Sequence, residues 1–386
     1  MICIKLMKFL IHLYNKSSTL FQIMKTIRLL FFAFLALYAY KSPAVEGDIP
    51  VKAFLIAAPD SENLKDFNNF IETDLKKEGV THLVVRFRYK YQFKSHPELA
   101  SEGALSEEEV KSILKACTKA GIEMIPKMNM LGHQSGGKNL FPLLKEYPQL
   151  DETPHVEMPE EYKWPNDDGL YCKSYCPLHP DLHPIIFALM DELVEVCEAK
   201  ALHVGMDEVF YIGDDKCPRC QGRDKAELYA GEVTAIYNHL ASKGIEMWMW
   251  ADRFLDGRTT GLGMWEASMN NTHRAIDMVP KGIVMCDWHY ENAPPTIGYF
   301  ATKGFRVLAC PWRKEDVAIQ QLEQVQLLRK SAPDAIAERM LGVFQTSWTG
   351  AGDFMNAYHG KEASDRNIEN ANCFKELFKA VREMEE

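Results

Sequence analysis

The sequence predicts a single-domain (β/α)8 barrel, and three observations carry that expectation. Eight short β-rich runs alternate with amphipathic helical patterns along the chain. A length of 386 residues, 47% of them hydrophobic, suffices for one barrel-sized core. The fourth β-rich run ends in adjacent carboxylates, Asp207 and Glu208, and barrels of this kind place their chemistry at strand C-termini.

Taken in order, residues 1–44 read as an export-signal region with Met24 as its start. Lys25 and Arg28 form a basic segment, 29–40 an apolar one, and Ala39, Ser42 and Ala44 offer small residues for cleavage, while 1–23 read as an upstream extension. The apolar segment is short for a bilayer span and no cysteine follows it to carry a lipid. A periplasmic or extracellular protein with no stable membrane anchor is therefore expected, with the barrel filling 45–386.

Strands are expected at 52–57, 82–87, 123–127, 201–206, 246–250, 283–288, 306–310 and 342–346. Between them, Ser106-Glu-Glu-Glu109 has the form of a capping box ahead of a helix to Ala120, with Gly121 as its stop. Similar helical patterns occupy 181–199, 226–243, 293–303 and 315–330. The stretch 132–180 follows the third strand and is rich in Pro, Gly, His and aromatics; 252–280 follows the fifth and carries Trp265 and Glu266. Loops this long are commonly functional. No internal repeat, linker or appended module interrupts the pattern.

A formal net charge of −10, with no Lys/Arg cluster interleaved with aromatics, excludes nucleic acid as the expected partner. Two adjacent carboxyls at a strand end can take different protonation states, one raised by apolar walls and one kept ionised by hydrogen bonds. Acid chemistry is thus the first expectation for Asp207 and Glu208. Cys117, Cys197, Cys286 and Cys310 lie in apolar patterns and read as small buried hydrophobes. Cys172-x-x-x-Cys176 and Cys217-Pro-Arg-Cys220 lie in polar loops, where either disulfides or a four-thiolate zinc site is expected, with His179 and His183 as alternative ligands. No catalytic metal or cofactor is expected, since no strand carries a His-x-His signature.

His203-Val-Gly-Met-Asp207-Glu208-Val, the segment from Ile122 to Gly132-His133, Trp248-Met-Trp-Ala-Asp252, Trp288 and Trp348 occur in the order that resembles glycoside hydrolase family 20, the β-N-acetylhexosaminidases, in its compact single-barrel branch. The resemblance covers most of the chain after the signal region. It implies a glycan substrate ending in β-linked N-acetylhexosamine. It also implies substrate-assisted retaining hydrolysis, with Glu208 as general acid/base and Asp207 orienting the 2-acetamido group. Sugar-binding positions implied by it are His133, Trp250, Asp287, Trp288, Tyr290 and Trp348. Of Trp248 and Trp250, one side chain is expected inward and the other toward the helices, with Trp250 near the site. His203 reads as a core hydrogen-bonding residue.

The sequence also departs from the family's pattern. Strand one ends Ala57-Ala-Pro-Asp60 without the Arg of the larger enzymes, strand two reads Arg86-Phe-Arg-Tyr-Lys-Tyr91, and strand seven ends Cys310-Pro-Trp-Arg313 without a Tyr-x-Asp. Tyr290 is expected to take the missing tyrosine's role. Arg86 or Arg88 would face either an acidic group on the substrate or an ion pair at the rim. Two other functions stay open. One is a retaining glycosidase using Glu266, Asp252 or Asp287 as nucleophile. The other is a non-catalytic sugar-binding barrel.

Overall fold

The computed structural model describes residues 49–163 and 172–385, so the expected signal region lies outside the described residues. Eight parallel strands close into a barrel in sequence order: β1 (Val51–Ala57), β2 (His82–Arg86), β3 (Glu123–Met130), β4 (Ala201–Gly205), β5 (Glu246–Trp250), β6 (Val284–Trp288), β7 (Arg306–Cys310) and β8 (Met340–Gln345), with β8 pairing back to β1. Each lies where the apolar runs place it. The third extends beyond the expected 127 to Met130, and that extension carries the chain up to Gly132-His133.

Strand parity divides the core in two. Ala53, Leu55, Val84, Ile125, Leu308 and Phe344 meet inside the barrel, while the opposite faces of the strands pack on the surrounding helices. Trp248 and Trp250 are two positions apart and so share a face; both join the interior cluster, against the expectation that one turns to the helices. At Gly342 the chain has φ +142°, and a Cβ there would stand 2.1 Å from the carbonyl oxygen of Val51. This glycine sits where the β8–β7 register shifts, so closing the barrel against β1 needs a residue without a side chain.

The helices begin and end as their caps dictate. Ser106 accepts from the Glu109 amide while Glu109 accepts from the Ser106 amide, and Gly121 closes the helix Glu107–Ala120 in the left-handed conformation. Such a cap is worth about 1 kcal/mol. The helical run 64–78 between β1 and β2, with Ala351–Tyr358 and Asp365–Glu385 after β8, completes the shell. Phe54 on β1 is held by Phe354 and Phe374 at ring separations of 4.9 and 4.6 Å, which ties the last two helices to the first strand. Among the described residues no helix is long and apolar enough to cross a membrane.

Candidate active site

The end of β4 turns sharply, with Gly205, Met206 and Glu208 all at positive φ, and Leu131 and His133 do the same after β3. Non-glycine residues in this region carry strain that the surrounding structure must sustain. The two turns touch. A Cβ on Gly132 would lie 2.8 Å from the carbonyl oxygen of Asp207, so the glycine allows the β3 turn to press against the carboxylate pair. His133 is thereby set with Nε2 3.0 Å from Asp207 Oδ2 and 3.2 Å from Glu208 Oε2.

Charge follows from that placement. Burial would lower the His133 imidazole, but its interactions with Asp207 and Cys172 raise it well above 6.5. Burial would likewise raise Asp207, but the charge and hydrogen bond of His133, with Lys127 further off, hold its carboxyl well below the usual carboxylate range. Asp207 is thus an ionised carboxylate of 7% exposure beside an imidazolium. One of its oxygens, Oδ1, is buried without a hydrogen-bond partner among the described residues. The Glu208 amide donates to Asp252 Oδ2 at 3.0 Å, which fixes the strained backbone of the second acid.

The aromatic residues of β5, β6 and β8 form one connected wall. Trp288 lies 4.9 Å from Tyr290, and Trp348 donates its indole N–H to the Tyr290 hydroxyl at 2.9 Å. Trp250 stacks on Phe344 at 5.5 Å, touches Trp348 at 5.8 Å and is fully buried, so it supports the wall from below and does not face open space. Trp248 lies nearer the N-terminal end of β5, donating to Glu246 at 2.6 Å. His203 packs at 4.3 Å on Trp250 and accepts from the Gly205 amide at 3.1 Å. Trp265 packs edge-on to Phe210 at 5.0 Å.

Every carboxylate considered as an alternative nucleophile is held by protein groups. Asp252 Oδ2 receives Arg253 Nε at 2.7 Å, and burial, opposed by Arg253 and assisted by Asp207, raises it to about 6. Glu266 pairs with His289 at 2.7 Å. Asp287, expected to bind a sugar hydroxyl, instead accepts from Thr296 at 2.6 Å, lies 3.2 Å from His289 and is 2% exposed. An acid buried in that way lies behind the wall.

The cysteines correct the expectation of two paired loops. Cys172 does not join Cys176, Cys217 and Cys220; its thiol donates to Glu208 Oε2 at 3.2 Å and lies 3.6 Å from His133 Nδ1. Its sequence neighbourhood is polar, and nothing local in it points to a carboxylate 36 positions away. His179 and His183 lie apart from the thiols' ligand group, His183 pairing with Glu232 at 2.9 Å. Two other residues escaped sequence reasoning. Lys127, in the apolar run of β3, is fully buried, donates to Asn129 at 2.7 Å and is lowered by burial to about 7, with Asp207 opposing. Trp312 packs 5.1 Å from Tyr290 and extends the wall from the end of β7; the tryptophan in Cys310-Pro-Trp-Arg313 was its signal.

A cleft of about 520 Å³ lies beside the carboxylates, between the ends of β1 and β2 and the segment after β8, and does not include them. Arg86 and Arg88 belong to its lining and also interact with the charge of Asp207. Their guanidinium groups lie over Trp348 at 5.5 Å and over Phe141 at 5.1 Å, and neither forms a carboxylate ion pair among the described residues.

The sequence profile of the Glycosyl hydrolase family 20 catalytic domain matches residues 79–345, which span β2 to β8. A beta-hexosaminidase of Akkermansia muciniphila is 27% identical over 128 residues, 33% of this chain and 24% of that protein. Hexosaminidase D of Bos taurus is 24% identical over 171 residues, 43% of this chain and 44% of that protein. The chain thus spans less than half the length of either curated relative. Among solved structures, a beta-N-acetylhexosaminidase from Bacteroides fragilis has a TM-score of 0.56 at 16% identity over 86% of this chain and 66% of that one, a likeness of fold. With the profile covering seven of the eight barrel strands and the carboxylate pair at the end of the fourth, this chain belongs to glycoside hydrolase family 20.

Proposed function

We propose that this protein removes terminal β-linked N-acetylhexosamine from glycans by substrate-assisted, retaining hydrolysis. The observation that carries the reading is the placement of Asp207, a carboxylate held by His133 at 3.0 Å beside Glu208, with its Oδ1 lacking a hydrogen-bond partner among the described residues. A 2-acetamido N–H is the donor such an oxygen needs, and accepting it turns the acetamido oxygen toward the anomeric carbon. That oxygen attacks as Glu208 gives its proton to the departing glycosidic oxygen. The positive charge of the resulting oxazolinium lies beside Asp207. Glu208 then takes a proton from the water that opens the ring, and the configuration is retained without an enzyme nucleophile.

The surroundings support this. Trp288, Tyr290 and Trp348 offer the apolar faces that suit a pyranose ring and an acetamido methyl, and the neighbouring cleft has room for further parts of a ligand. The names of the relatives agree. A glycosidase with its own nucleophile is disfavoured because Asp252 and Asp287 are only 1% and 2% exposed and Glu266 pairs with His289. A purely sugar-binding barrel has no use for a strained, hydrogen-bonded acid pair.

Hydrolysis of aryl β-N-acetylglucosaminide and its galactosamine epimer, beside the matched glucoside and galactoside, tests the proposal. Cleavage confined to the acetamido sugars, with kcat reduced about 10²- to 10⁴-fold in Glu208→Gln, is expected. Cleavage of plain glycosides would replace it with an enzyme-nucleophile mechanism, and binding without turnover would leave a lectin-like role.

A further inference from the structure

Three thiols and one carboxylate converge where the loop after β3 meets the loop after β4. The loop after β3 brings Glu152 and Cys176 together through a short antiparallel pairing, in which the Glu152 amide donates to Ser174 at 3.1 Å and the Cys176 amide to Leu150 at 2.6 Å. Cys217-Pro-Arg-Cys220, in the loop after β4, supplies the other two. The ligand atoms of all four lie within 4.8 Å of one another and all four residues are buried. Cys176 Sγ stands 3.6 Å from Cys217 Sγ and 3.5 Å from Cys220 Sγ.

We propose that Glu152, Cys176, Cys217 and Cys220 bind one Zn²⁺ ion that fastens the loop after β3 to the loop after β4. Sulfurs about 2.3 Å from a tetrahedral zinc stand about 3.8 Å apart, close to the separations seen. Cys176 is nearly equidistant from its two partners, which fits a shared ion better than one disulfide that must leave a third buried thiol over. A second observation points to a ligand independently. Glu152 is 0% exposed; Oε1 accepts from the Asp214 amide at 3.0 Å, and the carboxylate otherwise faces the Cys217 and Cys220 thiols, with no nitrogen or oxygen donor reaching the buried Oε2 among the described residues. A carboxylate oxygen in that position calls for a cation. Backbone N–H groups also point at two of the sulfurs. Cys217 receives the backbone N–H groups of Arg219 and Cys220, and Cys176 that of Leu178. Binding would release the thiol protons to solvent, and these amides would stabilise the negative sulfurs left behind. Such an ion would brace two loops that between them carry His133, Cys172, Asp207 and Glu208.

The full chain, purified reduced and without chelator, is expected to hold one zinc per molecule by elemental mass spectrometry. Replacement by Co²⁺ should give thiolate-to-metal charge transfer and the intense visible bands of tetrahedral cobalt. Cys217→Ser and Glu152→Gln should lower the metal content, whereas Cys172→Ser, beside Glu208, should retain it; chelation should lower Tm of the wild type. Absence of stoichiometric metal from protein whose thiols are all reduced would overturn the proposal. So would a mass two hydrogens short from a disulfide within the cluster, or metal lost in Cys172→Ser and kept in Cys217→Ser. The wild-type metal content and cobalt spectrum decide the matter even where a variant fails to fold, and neither depends on hydrolytic activity.

Discussion

The Cys172 thiol donates to Glu208 Oε2 across 3.2 Å, so the proposed proton donor takes a hydrogen bond from a loop residue that is itself fully buried. Burial, assisted by Glu208 and opposed by His133, pushes the thiol up to about 12. Cys172 therefore stays protonated, and iodoacetamide near neutral pH should leave both the residue and the activity intact. Cys172→Ala removes a hydrogen-bond donor to the Glu208 carboxylate, and kcat/KM should fall several-fold, the scale of one lost hydrogen bond of about 1 kcal/mol. Rapid alkylation of Cys172 in the folded protein, read by peptide mass spectrometry, would contradict the assignment.

His133 bridges both acids as an imidazolium. Its replacement by Asn should reduce kcat on the order of a hundredfold, the scale of one lost electrostatic contact in a preorganised site. Gly132→Ala should imitate it, because the added Cβ must displace the carbonyl of Asp207. Steady-state kinetics beside circular dichroism would check both; unchanged kcat in His133→Asn would remove the residue from the mechanism.

Arg253 is 1% exposed and holds Asp252 at 2.7 Å together with the carbonyls of Met264, Trp265 and Ala267 at 2.8, 2.9 and 2.6 Å. Truncating it strands a buried carboxylate and three carbonyls. Arg253→Met should destabilise by about 3–5 kcal/mol, and adding Asp252→Asn should recover part of the loss. Denaturant unfolding of the two variants makes the comparison.

His289 bridges Glu266 and Asp287 behind the wall. Burial would lower it, but Asp287 and Glu266 outweigh burial and raise it to about 9. A base raised above its unfolded value of 6.5 stabilises fully below that value, and the contribution disappears as pH rises through about 9. The stability gap between wild type and His289→Gln should accordingly shrink, by on the order of 3 kcal/mol, between about pH 6 and about pH 10. A gap constant over that range would show that His289 does not titrate as assigned.

The sequence by itself determined the barrel, its strand positions and the Asp207-Glu208 pair, because strand period, caps and the acid-ended apolar run of β4 are local and need no knowledge of what lies across the fold. The shared inward face of Trp248 and Trp250 follows from the same two-residue period. Tertiary structure decided everything that depends on loops meeting. Barrel closure and the 132–180 excursion deliver Cys172 to Glu208 and group Glu152 with Cys176, Cys217 and Cys220, where spacing alone pairs Cys172 with Cys176. Asp287 has the sequence signature of a pocket acid, yet Thr296 and His289 reach it first. A carboxylate's role depends on which donors arrive within about 3 Å of it, and that distance is set by packing between segments far apart in the chain.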